Sequence, residues 1–220
     1  MAEPFAVKDC ALISIGTGER AQNLRELRDR ILTTQPGSIY HHFWGGLLRP
    51  SFDDPEYQND FAAWAGRGLH DTRLAERLSL IDPSEFQDLE ALRRELVEVV
   101  EERLEETEMV PWAKSDHQFY FVRSQIVVFD TSLRVKDVDG WAALLPRFPV
   151  SSIFYHFIDA RRRTESRNDD FSEWLLGFGD EHTQLIYRLW AIDPYFSTLS
   201  ELKSELASIL GSYLQARQDQ

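Results

Sequence analysis

The sequence predicts a predominantly helical α+β protein made of two tandem copies of one module, and three observations carry that expectation. The first is a return of segments. Ser-Ile-Tyr-His-His-Phe (38–43) comes back as Ser-Ile-Phe-Tyr-His-Phe (152–157), and Asn-Asp-Phe-Ala-Ala-Trp (59–64) as Asp-Asp-Phe-Ser-Glu-Trp (169–174). Leu-Ala-Glu-Arg-Leu (74–78) comes back as Leu-Ile-Tyr-Arg-Leu (185–189), and Ile-Asp-Pro stands at both 81–83 and 192–194. The second is helical periodicity: Leu89, Leu92, Leu96, Val99, Val100 and Leu104 match Leu199, Leu202, Leu206, Ile209, Leu210 and Leu214 residue for residue. The third is composition, since 43% hydrophobic and 12% aromatic residues in 220 suffice for a real core. The expected copies are 1–113 and 114–220, each a β-hairpin followed by four or five helices, packed as a pseudo-two-fold unit.

Residues 4–16 hold two short apolar runs split by Lys8-Asp9, which predicts a tight hairpin. Residues 118–130 are its copy, with Phe5 on Phe119, Ile13 on Val127 and Thr17 on Thr131. Two such hairpins could join into one four-stranded sheet, because a lone pair of strands is marginal. Leu24, Leu27 and Ile31 predict a short amphipathic helix over 23–32, mirrored by Val138, Trp141 and Leu145. After Pro36-Gly37 and Pro149, Ser38 and Ser152 stand where helix N-caps are wanted. The helices they would open carry Tyr40, His41, His42, Phe43 and Phe154, Tyr155, His156, Phe157.

The copies then diverge. The first inserts Gly45-Gly46 and residues 49–57; the second has the basic run Arg161-Arg162-Arg163 with Arg167. Asn59 and Asp169 read as N-caps of a third helix, with Asp60 and Asp170 in its first turn, where a carboxylate meets the positive helix end. A fourth helix ends at Asp82-Pro83 or Asp193-Pro194. The fifth starts near Asp88 or Thr198; in the first copy it is strongly acidic, with Glu90 and Arg94 spaced for one i,i+4 pair. Residues 111–116 join the copies, and their Trp112 predicts a packed junction rather than a free linker.

Charge and motifs narrow the function classes. With 24 basic against 37 acidic residues the net charge is −13, which opposes nucleic-acid and anionic-lipid binding and favours cationic partners. Cys10 is the sole cysteine, so no internal disulfide can form and zinc held by thiolates is excluded. The start of the chain lacks the pattern of a signal peptide, and no run is long enough to span a membrane, so a cytoplasmic protein is expected. No His-Glu-x-x-His, Cys-x-x-Cys, Gly-x-Ser-x-Gly or phosphate-loop motif is present. Gly16-Thr17-Gly18 sits where a phosphate loop could, but its copy is Asp130-Thr131-Ser132, and a turn is the better reading. No cofactor and no metal site are expected.

What remains is a repeated pair: His42 with Asp60, and His156 with Asp170. An imidazole held by a carboxylate suits acid–base work, and Arg161, Arg162 and Arg163 could clamp an anion. The plainer reading makes each histidine a half-buried, hydrogen-bonded core residue and each aspartate a helix-start charge. His41 beside His42 does not favour a metal, since adjacent helical side chains diverge by about 100°.

The chain resembles an uncharacterised prokaryotic family known only as a domain of unknown function. Residues 24–29 (Leu-Arg-Glu-Leu-Arg-Asp), 38–44 (Ser-Ile-Tyr-His-His-Phe-Trp), 48–50 (Leu-Arg-Pro), 56–64 (Glu-Tyr-Gln-Asn-Asp-Phe-Ala-Ala-Trp), 74–78 and 81–83 carry the resemblance, which covers nearly the whole chain. The second copy is also similar to a small module appended to various archaeal and bacterial proteins, with a Phe-x-Tyr-His…Asn-Asp-Phe-x-x-Trp-Leu pattern. Phe154, Tyr155, His156, Asp170, Phe171, Trp174 and Leu175 match it here, and Asp169 replaces the asparagine. The resemblance implies no activity or cofactor; use as an appendage implies a binding or adaptor role. The leading expectation is therefore a non-enzymatic interaction or regulatory protein with a protein partner. The rival is a small-ligand-binding protein or enzyme using the His/Asp pairs and the arginines 161–163.

Overall fold

The computed structural model describes residues 3–49, 56–106 and 113–219. In chain order come β1 (Phe5–Ala21), α1 (Leu24–Thr33), α2 (Pro36–Trp44), α3 (Asp60–Arg67), α4 (Thr72–Ser79) and α5 (Leu89–Glu106). Then follow β2 (Phe119–Val135), α6 (Val138–Leu144), α7 (Val150–Ile153), a π-helical turn (Phe154–Asp159), α8 (Ala160–Arg163), α9 (Asp170–Leu176), α10 (Thr183–Trp190) and α11 (Leu199–Gln218). The fold is thus mixed α+β and predominantly helical. No helix among the described residues is long and apolar enough to cross a membrane.

The expected hairpins do not form. β1 and β2 are each one strand of 17 residues, and they pair with each other in a two-stranded sheet. The reason is local: a two-residue turn needs left-handed backbone, and Lys8-Asp9 has no glycine or asparagine to supply it. The left-handed residues lie further on, at Gly18 (φ 80°) and Ser132 (φ 62°), inside the strands. They are bulge signatures. Beside each, a threonine bridges the strands: Thr17 Oγ1 donates to the Phe121 carbonyl at 2.8 Å, and Thr131 Oγ1 to that of Val7 at 2.6 Å. Gly16-Thr17-Gly18 is therefore strand, not a loop leading into a helix.

The compact units are not consecutive halves of the sequence. One comprises residues 12–126; the other comprises 1–11 together with 127–220. Each unit thus takes one strand segment from β1 and one from β2.

In the 12–126 unit, α1 buries Leu24, Leu27 and Ile31 and packs on α5, whose stripe of Leu92, Leu96 and Val100 is fully buried. Asn59 caps α3 by accepting from the Ala62 amide, and its Nδ2 donates to the Leu78 carbonyl at 2.9 Å, fastening the start of α3 to the end of α4. Asp71 caps α4 and also receives Arg103 of α5 at 2.8 Å. Asp88 accepts from the Ala91 amide at the start of α5. Glu90 pairs with Arg93 at 2.9 Å, one residue short of the expected Arg94, and Arg93 also donates to the Ile31 carbonyl. Ser38 is not a cap: α2 begins at Pro36, after Gln35.

In the other unit, Trp141 of α6 is wholly buried and stacks on Phe171 of α9. Asp169 caps α9, and Thr198 with Glu201 forms a capping box at α11. Lys203 donates to the Phe148 and Pro146 carbonyls at 2.6 and 3.0 Å, holding α11 against the turn before α7. Ser152 is again not a cap, because α7 starts at Val150. Pro50–Pro55 of the first-copy insertion and Trp112 of the junction lie outside the described residues.

Candidate functional site

In the 12–126 unit, α2 lies beside β2 and presents Ser38 and His42, one helical turn apart, to a single strand residue. His42 Nε2 accepts the Val122 amide hydrogen at 3.1 Å, and Ser38 Oγ donates to the Val122 carbonyl at 2.9 Å. A sheet edge exposes unpaired amides and carbonyls that must be covered; here two side chains of one helix cover both groups of one residue. The other histidine nitrogen, Nδ1, is 2.9 Å from Asp60 Oδ2. A backbone amide can only donate, so Nε2 carries the lone pair. The ring proton of the neutral imidazole therefore sits on Nδ1 and is donated to the carboxylate.

The surroundings enforce that neutral form. The His42 ring is wrapped by Phe61, Phe119 and Phe121, with centroids 4.6 to 6.0 Å away. Burial lowers its pKa; the Asp60 hydrogen bond and charge pull the other way without prevailing. For Asp60, burial pushes upward, but the hydrogen bond from His42 and the Arg49 guanidinium outweigh this and hold the carboxyl below its usual range.

His41 is buried too. Its Nε2 is 3.0 Å from Arg49 Nη2 and its Nδ1 is 2.6 Å from Ser124 Oγ. Arginine only donates, so Nε2 accepts and the Nδ1 hydrogen goes to the serine. Burial first, then the neighbouring His42 and Arg49, lower its pKa to about 4. Arg49 also stands 3.5 Å from Asp60.

The sequence expectation that His41 and His42 diverge needs correction. Their rings are nearly perpendicular, yet one nitrogen of each and an oxygen of Asp60 lie within 4.8 Å of one another. These residues nonetheless do not suit a metal as they are bonded. A metal on His42 Nδ1 would displace its only proton while Nε2 still serves the Val122 amide, which leaves an anionic ring. The Arg49 guanidinium, moreover, already brings a positive charge to the cluster.

The other unit repeats the pattern with one exchange. His156 Nδ1 is 2.7 Å from Asp170 Oδ2, and Nε2 accepts the Lys8 amide hydrogen at 2.8 Å. The ring packs on Phe5, Phe171 and Tyr155. Burial lowers its pKa, opposed by Asp170. The Asp170 carboxyl is pushed up by burial but held low on balance by His156 and Arg163. Arg163 reaches Asp170 at 2.8 Å, Asp159 at 2.9 Å and the Tyr155 carbonyl at 3.0 Å, with its guanidinium 4.1 Å above the Tyr155 ring. Tyr155 thus takes the place that His41 holds in the other unit.

The arginine run does not converge on one point. Arg162 and Arg163 both bind Asp159, a carboxylate with no exposed surface, while Arg161 lies 4.8 Å over the Phe157 ring. Each His/Asp pair is brought together as the sequence suggested, and each stays within its own unit.

Sequence reasoning missed Arg49, Ser38, Asp159 and the strand amides of Val122 and Lys8. One signal was readable: Arg49 follows His42 by seven residues, and Arg163 follows His156 by seven. The strand amides carry no side-chain signal at all.

A helical α+β chain in which a neutral histidine joins a strand amide to an arginine-bound aspartate, once in each unit, is the class that fold and site define. Residues 2–211 match the Family of unknown function (DUF5752), and the chain belongs to that family. It is similar to a solved structure, OrfY from Thermoproteus tenax, with 34% identity over 95% of each chain and a TM-score of 0.81. No curated protein matches it.

Proposed function

We propose that this is a non-enzymatic cytoplasmic interaction or regulatory protein that binds a protein partner. One observation carries the reading: both nitrogens of His42 and both of His156 are engaged inside the fold. A general base or ligand-binding imidazole needs a lone pair facing its substrate, and here each lone pair serves a strand amide. The rival, a small-ligand-binding protein or enzyme built on His42, Asp60, His156, Asp170 and Arg161–Arg163, would have to break these bonds first. The His/Asp/Arg sets are then fasteners, and function lies on the surface they brace.

The duplication belongs to the same reading. Matching residues fill matching roles at His42 and His156, Asp60 and Asp170, Arg49 and Arg163, and Thr17 and Thr131, which supports descent of the chain from one doubled module. Affinity capture from the native cell lysate tests the function. The expected result is one protein co-purifying in stoichiometric amount at physiological salt; recovery of the chain alone would count against it.

A further inference from the structure

Along α5 runs an open groove of about 410 Å³ with Leu32 and Val97 in its lining and Glu98, Glu101, Glu102 and Glu105 among its walls. Resting on the interaction reading above, we propose that this groove docks a basic amphipathic helix of a partner protein.

The four glutamates are not demanded by the helix itself. α5 and α11 bury the same apolar stripe, and at the positions of Glu98, Glu101, Glu102 and Glu105 α11 carries Ser208, Gly211, Ser212 and Gln215. Like charges at i,i+3 and i,i+4 weaken a helix, so α5 holds an arrangement that α11 does without. Internal cations offset only part of it. Arg28 meets Glu101 at 2.9 Å and Arg77 comes within 4.0 Å of Glu102, whereas Glu98 and Glu105 make no ion pair among the described residues. Arg93 and Arg94 also line the groove, and Arg93 is held by Glu90 and the Ile31 carbonyl.

The shape and chemistry select the occupant. The acids extend along two turns of α5 beside Leu32, which is 52% exposed. A helix laid along this line would set an apolar residue on Leu32 and place lysines or arginines against the glutamates, the usual mode of helix-in-groove recognition. Charge complementarity would steer the encounter and make it salt-sensitive.

The test uses a fluorescein-labelled amphipathic lysine–leucine peptide of about 18 residues, long enough to lie along the groove, and reads anisotropy against the full chain. A lysine–serine peptide of equal length and charge is the control. The expected result is saturable binding of the lysine–leucine peptide, about tenfold tighter than the control. Leu32→Ser and the triple variant Glu98→Gln, Glu102→Gln, Glu105→Gln should each weaken it by about tenfold, with circular dichroism unchanged because these side chains are exposed. Equal binding of both peptides, or indifference to both variants, would overturn the proposal. A partner captured from lysate that the triple variant still retains would also overturn it, while leaving the interaction reading standing.

Discussion

The imidazole of His42 accepts a hydrogen bond from the backbone amide of Val122, 80 residues away in the chain. That bond makes the histidine part of the edge of β2 and, with the proton it donates to Asp60, leaves no nitrogen for other chemistry. Lys8 and His156 stand in the same relation in the other unit.

His42→Ala strands the Val122 amide and removes one partner of Asp60, which keeps Arg49. An unpaired amide costs about 1–3 kcal/mol and truncating a buried ring leaves a cavity, so the variant should lose about 3 kcal/mol in total. His156→Ala should behave alike. Urea unfolding monitored by circular dichroism checks both, and added zinc or EDTA should move neither transition.

Ser38 and Ser152 occupy equivalent places in the sequence but not in the structure. Ser38 Oγ serves the Val122 carbonyl, whereas the buried Ser152 Oγ has no hydrogen-bond partner among the described residues. Ser38→Ala should cost about 1 kcal/mol or somewhat more, and Ser152→Ala should be neutral or slightly stabilising. Equal losses would show that the two hydroxyls play the same part.

Stability should fall on acidification below pH 6.5. Folding lowers the pKa of His41, His42, His156 and His182, each by burial first, and brings that of His41 to about 4. Between pH 6.5 and 4 the unfolded chain binds protons that the folded chain refuses, so stability rises with pH across that window and levels off above it. Below pH 3.8 the depressed Asp60 and Asp170 act in the same direction; the buried Asp169, raised above its usual value, acts just above pH 3.8 and there opposes the histidines. Melting temperatures at pH 7.5, 6, 5 and 4 should trace the fall, and His41→Gln should make it shallower.

Cys10 should be inert in the folded protein. Its thiol is buried, bonds the Ser151 carbonyl at 3.4 Å, and has its pKa pushed up to about 12, by burial first and then by Asp9 and Asp159. Reaction needs the thiolate, so a disulfide reagent at pH 8 should label it only as fast as the chain opens.

Much of this fold was legible because it is written in side-chain periodicity and caps. The stripes of α5 and α11, the caps Asn59 and Asp169, and the His42/Asp60 and His156/Asp170 pairs could all be read directly. The strands could not be placed so easily. β1 has its partner about a hundred residues away, and the one local signal against a hairpin at Lys8-Asp9, the lack of a glycine or asparagine there, names no alternative partner. The site was half legible for a similar reason. Histidine and aspartate announce themselves, but the deciding partners are backbone amides of Val122 and Lys8, which every residue except proline possesses.

The most direct measurement is the ring nitrogen chemistry of His42 and His156, read by nitrogen-15 NMR on the histidine-labelled chain between pH 5 and 8. Both rings should be neutral at pH 7 and above, each with its proton on Nδ1 and an acceptor Nε2, and should take up a second proton only below the ordinary 6.5. A proton on Nε2 at pH 7, or titration of either ring near pH 6.5, would contradict this and return the His/Asp pairs to candidacy as a working site.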